Sequence, residues 1–208
     1  MEEKKLTEQE SLLLIRRMID TAKQEQTDSG AGWIIWGWLL FLASIFTFLN
    51  EKSGWVSTFF FWNLFGLATL ILILYEVIYF FSGRKKQKVK TYTRDLFDRL
   101  NIGFGLTLML IIMSMNIGYP SSVPPTKGFS LLLGLYGFWI LIYGTVLNFK
   151  PSIIGAFITW GLAFAGLFVP AGRFDLTMII HAGAVLCGYI IPGHLANIQF
   201  RKLKTIKS

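Results

Sequence analysis

Six long apolar runs, at 31–49, 55–81, 102–119, 129–147, 153–169 and 176–191, decide what this chain can fold into. Each comes close to the roughly 20 apolar residues that a helix needs to cross a hydrocarbon core about 30 Å thick. No water reaches the backbone there, so a crossing segment must satisfy its own N–H and C=O groups as a helix or join a closed barrel. Barrel strands alternate apolar and polar residues, which these continuous Leu, Ile and Phe runs do not. The expected fold is therefore all-α, an integral membrane bundle of six transmembrane helices. The run at 55–81 is long enough to tilt, whereas those at 153–169 and 176–191 are short and should stand upright or thin the bilayer.

Composition enters as a check. With 53% apolar and 15% charged residues and a mean hydropathy of +0.54, the chain lacks the polar surface of a soluble domain, which is about one-quarter charged. The same figures exclude disordered, collagen-like and disulfide-scaffold classes. Cys187 is the single cysteine, so neither an intrachain disulfide nor a cysteine metal site is open to the chain.

Gly and Pro punctuate the breaks at 50–54, 119–128, 148–151 and 170–173, as expected of residues that the helix interior disfavours. Connections this short make consecutive helices antiparallel neighbours. Two regions follow: residues 1–29, polar, and residues 30–208, the membrane domain, with a basic loop at 83–99 and a basic tail.

Orientation follows from Lys and Arg. With the N-terminus inside, only Lys52, Lys127 and Arg173 lie outside, and the other 17 of the 20 bases lie inside. Both termini are thus expected in the cytoplasm. The first span begins after about 30 residues with no small-residue cleavage pattern and reads as an uncleaved anchor. Topology accounts for the net charge of +8, and no nucleic-acid partner is called for.

Thr7 and Glu10 have capping-box spacing and predict a helix start. Beyond it Leu12, Ile15 and Ile19 share an apolar arc, with Arg16, Arg17 and Asp20 opposite. The polar face mixes both signs, unlike the Lys-rich face of a lipid-surface helix. Packing against the cytoplasmic helix ends or a second copy is favoured over a surface-lying helix or a separate protein partner. The loop bases Arg84, Lys85, Lys86, Lys88 and Lys90 read first as the topology determinant and second as a contact for anionic lipids or a partner.

Ionisable groups within spans are scarce. Glu76, between Tyr75 and Tyr79, is the only acid in a predicted span. Its expected place is the inner interface near Arg84 and Lys85; the sharper alternative is a proton or cation ligand. His181 lies in the sixth span, and His194 follows it in Pro192-Gly193-His194. Their spacing suits no shared metal, and His181 is expected to bond an interior polar group such as Ser114 or Asn116, with Asn63 and Thr107 making similar contacts between helices. Gly161 with Ala165, and Ala184 with Gly188, mark close helix contacts, and the seven Trp read mostly as interfacial anchors. Nucleophile-elbow, zinc-protease, phosphate-loop and dinucleotide motifs are all missing, so neither an enzyme nor a cofactor is expected.

The segments Leu6-Thr7-Glu8-Gln9-Glu10-Ser11-Leu12, Met18-Ile19, Gly32-Trp33-Ile34-Ile35-Trp36-Gly37 and Ile191-Pro192-Gly193-His194 resemble uncharacterised small multi-span membrane proteins of Bacteroidetes-type bacteria. The resemblance implies a bacterial inner (plasma) membrane protein and carries no activity. The functional expectation is a non-enzymatic sensor or accessory module presenting cytoplasmic segments to a partner; the alternative is a small oligomeric transporter or channel using Glu76 and His181.

Overall fold

The computed structural model describes residues 9, 12, 13, 29–81, 92–118 and 125–206. Among them there are helices and turns and no strand. The helices are α1 (Ala31–Ser53), α2 (Phe60–Phe81), α3 (Tyr92–Gly118), α4 (Thr126–Val146), α5 (Lys150–Leu167), α6 (Phe174–Val185) and α7 (Ile191–Ile206). A π-helical turn, Leu186–Ile190, joins α6 to α7 in one continuous rod. Five described helical stretches are long and apolar enough to cross a membrane; the sixth, α2, has 22 residues and an apolar described part at Phe60–Leu72. The protein is thus an all-α bundle of six rods built for a membrane.

Lipid tails are as apolar as Leu, so these helices gain little by hiding Leu from lipid and are held by close contact and interhelical polar bonds. Small residues supply the contact. Between α4 and α5, a Cβ at Gly144 would stand 2.9 Å from the Ile153 backbone nitrogen, and one at Gly137 would stand 2.6 Å from the Trp160 ring. Trp160 Nε1 donates to the Gly134 carbonyl at 2.9 Å. The hairpin turns through Asn148, which accepts φ 49°, a left-handed value that Asn tolerates better than most residues.

α1, α4, α5 and the α6–α7 rod share the core, around Leu133, Ile140, Met178 and Val185. α2 lies on α1, α3 lies on α4, and both contribute only partly buried side chains such as Trp62, Phe65, Phe104 and Met115. α1 ends on Gly54 at φ 65°, whose N–H returns to the Asn50 carbonyl at 2.7 Å. The Asn50 side chain then takes both backbone groups of Val56 at 2.9 Å, fixing the 54–59 turn.

The sixth span departs from its expected end. Instead of stopping near Pro192 it forms one apolar stretch, Phe174–Lys202, of 29 residues. A proline at 192 removes one ladder donor and crowds the carbonyl of residue 188. Widening the turn at Leu186–Ile190 to i→i+5 spacing absorbs the mismatch, with Ile191 N–H on the Leu186 carbonyl, and the rod continues. α5 presses closest there: a Cβ at Gly155 would lie 2.6 Å from the Cys187 carbonyl oxygen, and one at Gly188 would lie 2.6 Å from Thr159 Oγ1. The Thr159 hydroxyl points its proton at the Gly155 carbonyl (2.8 Å) and stands 3.4 Å from that of Ala184. The expected Ala184–Gly188 groove is therefore an intrachain contact. Gly161 and Ala165 are exposed, and among the described residues nothing lies within 4 Å of a Cβ at Gly161.

Candidate functional site

Polar groups gather inside the half of the bundle nearest the turns at 54–59 and 168–173. Ser44, Thr47 and Asn50 come from α1, Thr126 and Ser130 from α4, and Thr177 and His181 from α6, all buried. On α1 they recur every third residue and so share one face; Thr177 and His181 are four apart and do the same on α6.

His181 is wholly buried at the centre of this group, with Nδ1 2.9 Å from Ser44 Oγ. The Ser44 hydroxyl also lies 2.7 Å from the Leu40 carbonyl, a strong i−4 acceptor. A hydroxyl has one proton. With that proton on Leu40, the Ser44 oxygen can only accept from the ring, so Nδ1 carries the hydrogen, a tautomer assigned from the network. In the neutral ring Nε2 is left as a lone-pair acceptor, and it has no partner.

Aromatic rings wall the imidazole. Trp62, Phe129 and Tyr136 stand 5.2, 5.8 and 6.0 Å from it, each edge-on, an arrangement that ring quadrupoles favour. Phe174 closes against Phe129 at 5.5 Å. Towards the start of α1 the rings continue from Tyr136 to Tyr189 (5.9 Å), to Trp33 (4.9 Å) and to Tyr143 (4.4 Å). Trp33 and Trp62, read from sequence as interfacial anchors, thus belong to an internal column, and Trp139 packs on Phe104 at 5.2 Å. Trp38 and Trp55 are exposed and fit the anchor reading.

Besides His181 Nε2, the buried polar atoms without a partner among the described residues are Trp62 Nε1, Thr177 Oγ1 and Ser130 Oγ. No grouping of three metal-ligating side chains occurs among the described residues.

Other expectations fare differently. His181 bonds Ser44 rather than Ser114 or Asn116, because α3 packs on α4 from outside and leaves both of those side chains exposed. Asn116 and Thr107 satisfy themselves on their own helix, at Ile112 (2.8 Å) and Gly103 (2.9 Å), and Asn63 is exposed. Glu76 is in α2, but its side chain lies outside the described residues, as do Arg84, Lys85, Lys86, Lys88 and Lys90. Leu12 is helical and exposed, while Ile15 and Ile19 are outside the described residues. Ser44, Trp62 and Thr177 were not singled out as neighbours of His181. The signal was present in part: Ser44 and Thr47 share a face of an otherwise apolar helix, and Thr177 precedes His181 by one turn.

No protein-family model, curated protein or solved structure matches the chain.

Proposed function

We propose that this chain is a non-enzymatic module of a bacterial inner membrane, a sensor or accessory subunit that presents residues 1–29, the basic loop at 83–99 and the basic tail to a partner on the cytoplasmic side. The observation that supports it most is the closed interior. His181 is wholly buried beside Phe129, Trp62 and Tyr136, and a column of rings runs on from Tyr136 through Tyr189 and Trp33 to Tyr143. A conducting protein needs polar groups along a continuous route, since an unsolvated charge is costly in hydrocarbon. The distribution of bases supports the orientation, and the resemblance of the N-terminal and first-span segments supports the bacterial setting.

A transporter or channel is the second reading, favoured by the unpartnered His181 Nε2, Trp62 Nε1 and Thr177 Oγ1, which an opening of the bundle would join to water. Purified protein in liposomes loaded with a pH- or cation-sensitive dye separates the two. The module reading expects flux equal to that of empty liposomes; flux abolished by His181→Gln or Glu76→Gln would replace it with the transporter reading.

A further inference from the structure

α7 outlasts the bundle. From Phe174 to Asn197 the α6–α7 rod is already about 36 Å long, more than a hydrocarbon core of about 30 Å. The helix then goes on to Ile206, about 14 Å further. One face of it starts packed and ends bare. Pro192, Gly193 and Ala196 are buried, and a Cβ at Gly193 would stand 3.1 Å from Trp33 Cβ at the start of α1. Phe200, four residues on from Ala196 and so on the same face, is 37% exposed, because α1 reaches no further than Ala31.

The chain that precedes α1 is steered onto this face. Gly30 turns it at φ 69°, and a side chain there would collide with the Gly193 carbonyl oxygen and the Ala196 methyl. Asn197 Nδ2 donates to the Ser29 carbonyl at 2.8 Å. Ser29 is therefore held at the level of Asn197, three residues before Phe200. The amphipathic segment that begins at Thr7 runs to Ala22, and residues 23–28 alone connect it to Ser29. That connection spans at most about 25 Å. A tether this short gives an effective concentration on the order of millimolar, so even a weak contact with the end of α7 is populated.

The chemistry of the two partners agrees. Leu12, at the edge of the apolar arc, and Leu13, beyond it, are exposed. The centre of the arc is Ile15, Met18 and Ile19. Residues 1–29 carry seven acids against five bases, whereas 191–208 carry Arg201, Lys202, Lys204 and Lys207 and no acid.

We propose that residues 7–22 dock as a helix on the extension of α7 in the same chain, with Ile15, Met18 and Ile19 against the face that Phe200 exposes and the acids of the segment beside Arg201 and Lys202. Under the module reading, α7 thus holds the segment that a partner has to displace; the docking itself stands whether or not the protein conducts.

The test is pulsed electron paramagnetic resonance on the full chain in liposomes, in a Cys187→Ala background, with spin labels at Arg17→Cys on the polar face of the segment and at Gln199→Cys on α7. Packed helix axes lie about 8–10 Å apart, so with two label arms a single narrow peak is expected below about 30 Å. Ile15→Asp and Phe200→Asp, one on each side of the contact, should each broaden it at least about twofold, to the spread of a flexible tether. Circular dichroism confirms that each variant is folded. A broad distribution without either substitution, as for a helix lying on the membrane surface, overturns the proposal. So does a narrow peak that survives either substitution, which places the segment elsewhere on the bundle. A peak lost on dilution with unlabelled chains also overturns it and assigns the segment to a second copy.

Discussion

The Ser44 oxygen accepts from His181 Nδ1 across 2.9 Å while its own proton goes to the Leu40 carbonyl at 2.7 Å, and this pair ties α1 to α6 at the heart of the bundle. Both partners are fully buried, so neither can turn to water when the other is lost.

Ser44→Ala should therefore cost about 1–3 kcal/mol, the usual penalty for stranding a buried donor. Thermal unfolding in detergent measures it. Ser44→Thr keeps the hydroxyl and should lose less. Equal loss in both would mean that packing, and not the bond to His181, holds this position.

The π turn makes a sharper contrast. A methyl at Gly188 would stand 2.6 Å from Thr159 Oγ1 and 2.7 Å from Ile140 Cδ1, whereas one at Gly161 meets open space. Gly188→Ala should destabilise by about 1–3 kcal/mol through overpacking. Gly161→Ala should be neutral or gain up to about 1 kcal/mol of helix propensity. The two melting temperatures, compared with wild type, check the pair.

Trp33 and Trp38 lie two turns or less apart on α1 but face opposite ways. Trp33 is 9% exposed between Tyr143 and Tyr189, and Trp38 is 42% exposed. Trp33→Ala should cost about 3–5 kcal/mol as a core cavity, and Trp38→Ala well under half of that. Chemical unfolding of the two variants in the same detergent decides it.

Orientation is tested by cysteine labelling in intact cells, in a background with Cys187 replaced. The base distribution expects Ser122→Cys to react with an impermeant maleimide from outside and Gln87→Cys to be silent until the membrane is opened. The reverse pattern would invert the topology.

The spans were legible because hydrophobicity over about 20 residues is a summed signal that no single residue can mask. The end of the sixth was not. Pro192-Gly193 has the local chemistry of a stop, and it is overridden by a π turn against which α5 packs closely, through Gly155 and Thr159, residues distant in sequence. The site was half legible for a related reason. Scarcity of ionisable groups picked out His181, but its partner depends on which helices touch, and α3 lies outside the core while α1 lies within it. Trp33 and Trp62 misled because proximity to a span end says nothing about whether a ring faces lipid or protein.

The closed interior around His181 is the central claim, and solvent reach into it is its most direct measure. Ser44→Cys and Thr177→Cys, each in a Cys187→Ala background and reconstituted in liposomes, would be exposed to a small charged methanethiosulfonate reagent applied from both sides. The account predicts that neither thiol reacts until the protein is unfolded, while Lys52→Cys, at an exposed position, reacts at once. Modification of either buried thiol in folded protein would reveal an aqueous route to His181 and contradict the account.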